Sequence, residues 1–252
     1  MTIAIVTGAS RGLGLALAEK LAKECKVLIT IARQDEIETI SSFAKQFGCQ
    51  HIHFSANLSD MEQVSCIARQ IDSYLNQSFD NYLLINNAGE LGPIKQFNGL
   101  TSDKAQEIAH TFNLNIASVI TLTSVFLTAC QQHSGANIQV INISSGAARS
   151  AYPGWAVYCA SKAALDRYSE VAQLEAPFAK IVSLAPGVLD TGMQANIRNS
   201  TVDDFPNLQR FKDLHTNQAL SAPYEVADKI LKYRLSDDFA TQTLADIRLI
   251  KD

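Results

Sequence analysis

The sequence lacks the features that mark secreted, membrane-spanning and nucleic-acid-binding chains. Its five cysteines (Cys25, Cys49, Cys66, Cys130 and Cys159) are odd in number, widely scattered and without a C-x-x-C pair. That argues against a disulfide framework or a zinc site, so no metal is expected, and it suits a reducing cytoplasm. Basic residues number 21 against 25 acidic, a net charge of −4 with no block of either sign, so there is no electrostatic footprint for nucleic acid. Met1-Thr-Ile-Ala-Ile-Val carries no basic segment, and its apolar stretch stops at Thr7-Gly8, too short for a signal peptide. Nowhere do about 18 apolar residues run uninterrupted, so no transmembrane helix and no membrane partner are expected. There is no Pro/Ser-rich linker, internal repeat or long polar tract. With 47% apolar residues, disorder is excluded; a single domain over residues 1–252 and a cytoplasmic location are expected.

What is present is alternation. Short β-branched runs at Ile3–Thr7, Lys26–Ile31, His51–Phe54, Tyr82–Asn86, Ile138–Ile143 and Lys180–Leu184 are separated by stretches with helical spacing, such as Leu13, Leu17, Leu21 and Val64, Ile67, Ala68, Ile71, Leu75. Strands separated by helices imply right-handed crossovers, hence an α/β fold with a doubly wound parallel sheet of about seven strands and helices on both faces. One stretch, residues 190–221, breaks the pattern: it is polar, contains Pro206 and has weaker periodicity at Ile197, Phe205, Leu208, Phe211 and Leu214. It follows the sixth strand, where open α/β sheets bind ligands, so it is a lid candidate, with a surface helical hairpin as the alternative.

Two constellations could carry chemistry. The first strand leads into Thr7-Gly8-Ala9-Ser10-Arg11-Gly12-Leu13-Gly14, whose glycines allow a tight turn and leave helix N–H groups for a pyrophosphate. The same residues fit a G-x-S-x-G nucleophile elbow with Ser10, but no strands precede it and none of the five histidines has a suggestive context. The second constellation is Ser144-Ser145 at a strand end followed by Tyr158-Cys-Ala-Ser-Lys162 in a helical pattern. Residues i and i+4 share a helix face, so the lysine cation is expected to stabilise the phenolate and lower the tyrosine pKa from about 10.

Thr7–Gly14, Asn86-Asn87-Ala88-Gly89, Ser145, Tyr158-x-x-x-Lys162 and Pro186-Gly187-x-x-x-Thr191 occur in this order over nearly the whole chain. Together they resemble the short-chain dehydrogenase/reductase family. Asn142-Ile-Ser-Ser-Gly146, Gly154-Trp-Ala-Val-Tyr-Cys159 and Ala185–Gln194 are similar to its sepiapterin-reductase and benzil-reductase branch. The resemblance implies a Rossmann-type domain and a catalytic set of Asn115, Ser145, Tyr158 and Lys162, Ser145 being chosen over Ser144 by the family's spacing to the tyrosine. It implies cofactor contacts from Gly8, Ser10, Arg11, Gly12, Leu13, Gly14, Arg33, Asn57, Leu58, Asn87, Ala88, Gly89, Tyr158, Lys162, Pro186, Gly187, Val188, Leu189, Thr191 and Met193. Substrate contacts are expected from Ser145, Gly146, Trp155, Tyr158, Gly187 and Asp246, with Tyr152, Phe205 and Phe211 as further apolar walls.

The second strand ends in Arg33, with no carboxylate before Asp35. NAD-specific sites usually place an acid there, whereas Arg33 and Arg11 could clamp a 2′-phosphate, so NADP(H) is expected. Asn57-Leu58 departs from the aspartate usual in the family, which puts the strength of the adenine contact in doubt. The implied reaction is carbonyl reduction of an aromatic or vicinal diketone, or of a pterin side-chain carbonyl anchored by Asp246, by a homodimer or homotetramer packed through the helices around Ile108–Ala129 and Ala156–Leu174. A cofactor-sensing module on the same fold and a serine hydrolase are the alternatives.

Overall fold

The computed structural model describes residues 1–34 and 38–250. Seven strands form one sheet: β1 (Thr2–Thr7), β2 (Val27–Ala32), β3 (Gln50–Ser55), β4 (Asn81–Asn86), β5 (Asn137–Ile143), β6 (Lys180–Ala185) and the short β7 (Leu244–Asp246). Their spatial order is β3-β2-β1-β4-β5-β6-β7, and every pairing is parallel. Each expected apolar run is a strand, with bounds shifted by one residue or so.

Successive strand residues point to opposite faces, so a parallel strand covered on both sides must be apolar throughout. Ala4 and Val6 pack with Leu28 and Leu83 against α1 (Gly12–Leu21), α2 (Glu38–Gln46) and α9 (Pro223–Leu235). Ile3, Ile5, Ile29 and Leu84 pack the other way, against α3 (Met61–Leu75), α5 (Ser118–Cys130) and the C-terminal part of α6 (Ala156–Glu175). The result is a Rossmann-type doubly wound sheet.

Between α4 (Ala105–Phe112) and α5 the helix continues through one π turn, Asn113–Ala117. The continuous stretch Ser102–Cys130 is long and apolar enough to span a membrane by composition. Here that apolarity is used within the fold: Leu122, Phe126, Ala129 and Cys130 are buried against the sheet.

The segment after β6 forms α7 (Gly192–Arg198) and α8 (Leu208–Thr216). Although largely polar in sequence, it builds a third apolar cluster, in which Ile197, Phe205, Leu208 and Phe211 bury against Leu91, Trp155 and Tyr158. A latch fixes it to the body. Lys95 pairs with Asp204 at 2.7 Å, and Gly154, at φ +89°, admits the Asp204 carbonyl so closely that a β-carbon there would lie 2.2 Å from its oxygen.

Candidate active site

β1 pairs with β2 on one side and β4 on the other, so successive crossovers diverge there and leave a crevice at the strands' carboxyl ends. The structure holds a cleft of about 850 Å³ at this point, running from the β1–α1 turn to α7 and α8.

The nucleotide end is built from backbone. Thr7 Oγ1 accepts hydrogen bonds from the amides of Asn87 (2.9 Å) and Ala88 (3.0 Å), while Asn87 Nδ2 donates to the carbonyls of Thr7 (3.0 Å) and Gly8 (3.3 Å). These bonds lock the β4 exit onto the β1–α1 turn. Gly8 (φ +68°) and Gly12 (φ +56°) take the left-handed conformations the turn requires. A β-carbon on Gly14 would meet the Gly8 carbonyl oxygen at 2.2 Å, and one on Gly8 would meet Ala88 Cα at 2.9 Å. α1 thus begins against bare backbone, with no acidic residue in its first turn. A cradle with exposed helix N–H groups fits a pyrophosphate.

Of the residues expected to touch cofactor, Gly8, Ser10, Arg11, Gly12 and Leu13 line the cleft, as do Arg33, Asn57, Leu58 and Asn87–Gly89. So do Tyr158, Lys162, Pro186–Leu189, Thr191 and Met193. Gly14 stands behind the wall, packing α1 onto the turn. Asn57 Oδ1 accepts from the Ser59 hydroxyl at 2.8 Å, which leaves its amide NH₂ as the end able to address a base. Asp35 lies outside the described residues.

At the other end, Tyr158, Lys162 and Asp166 occupy successive turns of one buried face of α6. The Tyr158 hydroxyl is hydrogen-bonded to Ser145, and Ser145 Oγ accepts the Ala147 amide at 3.1 Å. Ser144 is turned the other way, donating to Asp166 at 2.6 Å. Lys162 Nζ donates to the Ile143 carbonyl at 2.8 Å and lies 5.9 Å from the centre of the Tyr158 ring. The electrostatics differ from the sequence expectation. Burial pushes the Tyr158 phenol up, with the Ser145 hydrogen bond opposing it. Burial also lowers Lys162 to about 8, against the pull of Asp166. In the protein alone desolvation governs both groups, and the Lys162 ammonium is directed at the Ile143 carbonyl.

Asn115 sits in the π turn, buried behind the cleft wall. Its amide donates to the Glu90 carbonyl (2.8 Å) and Ser161 Oγ (3.0 Å) and accepts the Glu90 amide (2.9 Å). It therefore pins the Gly89–Glu90 backbone. A β-carbon on Gly89 would lie 3.2 Å from Asn115 Oδ1 and 3.4 Å from Lys162 Nζ, so these two groups converge on one glycine.

The substrate end is aromatic. Trp155 stacks on Phe205 at 4.6 Å and meets Tyr158 edge-on at 5.7 Å. Gly146, Gly187, Trp155, Tyr152 and Phe211 line the cleft, whereas Phe205 supports Trp155 from behind. Asp246 is not among the lining residues; its carboxylate is held by Arg248 (2.5 and 2.9 Å), and it is Arg248 that reaches the cleft. Sequence reasoning did not single out Gln194, Arg210, Arg248 or Asp166. Only Asp166 left a readable signal, being one further step of four residues from Tyr158 and Lys162.

The comparisons agree with this geometry. The short chain dehydrogenase family matches residues 2–201. The chain is 34% identical over 245 residues to the benzil reductase ((S)-benzoin forming) of Bacillus cereus, covering 95% of this chain and 96% of that one. It is 33% identical over 256 residues to the sepiapterin reductase of Rattus norvegicus, covering 97% and 95%. The crystal structure of the KRED1-Pglu enzyme superposes with a TM-score of 0.79 at 27% identity, covering 95% of this chain and 98% of that one. With a glycine cradle at one end of its cleft, a serine–tyrosine–lysine group at the other, and relatives matched along nearly its full length, the chain belongs to the short chain dehydrogenase family of oxidoreductases.

Proposed function

We propose that the protein is an NADPH-dependent carbonyl reductase acting on a ketone, with aromatic or vicinal diketones such as benzil, or a pterin side-chain carbonyl, as the substrate class. The observation that carries this reading is the Tyr158 hydroxyl hydrogen-bonded to Ser145, one turn from Lys162, in the same cleft as the β1–α1 cradle. The β1–α1 cradle, Tyr158 and Lys162 would hold a reduced nicotinamide cofactor, whose chemistry would be hydride for the carbonyl carbon. The rest is done by this chain. Ser145 orients the carbonyl oxygen with its hydroxyl. Tyr158 donates its proton to that oxygen as negative charge develops; a phenol pushed up by burial is held in the protonated form this duty needs. Lys162 stabilises the phenolate left behind and also offers hydrogen bonds to a ribose. Asn115 keeps the Gly89–Glu90 backbone beside Lys162 in place, and a water on its remaining lone pair would connect Lys162 to solvent for proton resupply.

Arg33 and Arg11 both line the cleft at the nucleotide end, which supports a 2′-phosphate and hence NADPH. For the substrate, the Trp155–Phe205–Phe211 cluster supports a flat apolar group. The buried indole N–H of Trp155 and the Oε1 of Gln194 have no hydrogen-bond partner, and a second substrate oxygen, met by a small lid adjustment, would satisfy the former. The benzil and sepiapterin reductases matched above support the same class. No histidine lines the cleft among the described residues, which disfavours hydrolysis at Ser10.

The test is NADPH oxidation, followed by absorbance, with benzil and other 1,2-diketones, alongside ester hydrolysis. Diketone-dependent oxidation and inert esters are expected. Tight NADPH binding with no turnover on any diketone or pterin would favour the cofactor-sensing alternative.

A further inference from the structure

We propose that Asp166 is a positioning residue for the proton donor: its carboxylate both fixes the strand end that carries Ser145 and supplies negative charge to Lys162, the partner of Tyr158. This rests on the reductase reading above. Asp166 is one turn beyond Lys162 on the buried face of α6. Oδ1 accepts from Ser144 Oγ and Ser183 Oγ, each at 2.6 Å, and Oδ2 accepts from Arg149 Nε at 2.8 Å. One carboxylate therefore joins the exit of β5 (Ser144), the middle of β6 (Ser183) and the loop after Ser145 (Arg149). Arg149 extends the tie to the carbonyls of Ala245 on β7 (3.2 Å) and Ser183 (3.4 Å). With Ser144 held inward by this bond, the alternation of the chain turns Ser145 outward to Tyr158.

The charge argument is separate. The side chain of Asp166 is 7% exposed, and its charged partner Arg149 is 32% exposed, so the carboxylate is less screened than the guanidinium. Of the other charged or titratable groups near the pair, Asp190 lines the same cleft just before α7, and three more have partners of their own. The Glu90 carboxylate accepts from Thr111 and faces His110, Asp246 is paired with Arg248, and Cys159 directs its thiol to the Ser150 carbonyl. Asp166, itself paired with Arg149, is the carboxylate whose charge opposes the loss of the Lys162 charge on burial.

The test uses variants of opposite sign. Asp166→Asn keeps the shape and deletes the negative charge; Arg149→Gln leaves the carboxylate unbalanced. In the intact enzyme, the alkaline limb of kcat for diketone reduction should move to lower pH in Asp166→Asn by about one unit. It should move to higher pH in Arg149→Gln, and return near its original position in the double variant. A purely structural role would lower kcat in all three without moving the limb in opposite directions. The second readout needs no turnover. The pH dependence of Lys162 acylation by trace acetic anhydride, read by mass spectrometry, should have its midpoint near 8 in the parent and move in the same two directions in the variants. Unmoved limbs and midpoints, or shifts of one sign, overturn the proposal. If the parent reduces no carbonyl compound, the functional reading fails on its own, and the acylation midpoints still decide the role of Asp166. Should Asp166→Asn fail to fold by circular dichroism, Arg149→Gln decides alone.

Discussion

At the scale of single residues, the reaction depends on few atoms. In the proposed reaction Tyr158 gives a proton to the substrate oxygen, and general acids of this kind contribute about 10²–10⁴ in rate. Tyr158→Phe keeps the ring that packs against Trp155, so its kcat is expected to fall by at least about 100-fold while NADPH still quenches the Trp155 fluorescence with an unchanged Kd. A kcat within a fewfold of the parent would remove Tyr158 from the mechanism. In the same proposal Arg33 governs a different choice, that between NADPH and NADH. Arg33→Asp places a carboxylate where the adenosine ribose is read, and the ratio of kcat/KM for NADPH over NADH should drop by about 10-fold or more, the worth of one charge-assisted contact. An unchanged ratio would show that Arg33 is only a solvated surface residue.

At the scale of elements, the nucleotide site is a contact between two turns rather than a set of side chains. Gly14→Ala would force a methyl group against the Gly8 carbonyl and Asn87 Nδ2, prising α1 from the β4 exit. A loss of about 1–3 kcal/mol is expected, seen as a lower Tm that NADPH restores less well than in the parent. Unaltered melting would mean that the turn has slack the structure does not show. Much of this was readable from the chain. The strands announced themselves through β-branched runs, and the order of Gly8–Gly14, Asn87–Gly89, Ser145, Tyr158 and Lys162 carried the cleft. What could not be read has common physical causes. The π turn that buries Asn115 has no local sequence code, since it depends on what α4 and α5 pack against. The inward-facing aromatic residues of the lid look like an irregular polar hairpin until Trp155 stacks on Phe205. The pKa of Tyr158 follows from desolvation, which spacing along a helix does not report. Asp246 shows the same limit: its ion pair with Arg248 decides which of the two reaches the cleft.

At the scale of the whole molecule, the outer surface of α5 and α6 keeps Ile120, Val171 and Leu174 exposed, with Phe178 just beyond. These exposed apolar side chains support the proposal that the protein self-associates through these helices. Light scattering after size exclusion should therefore give two or four times the 27.5 kDa of the chain, and Leu174→Glu should reduce it. A parent that elutes at the single-chain mass at micromolar concentration would dismiss the oligomer.

The sheet order has its own bearing on how the protein is made. β1 leaves the ribosome before either of its neighbours, yet it lies between β2 and β4, with Thr2 beside Asn81. Until β4 has been synthesised, the edge of β1 that pairs with it has no partner. Nascent chains stalled before β4 should therefore bind chaperones and be cut readily by proteases within β1, and protection should arise abruptly once Asn81–Asn86 has emerged.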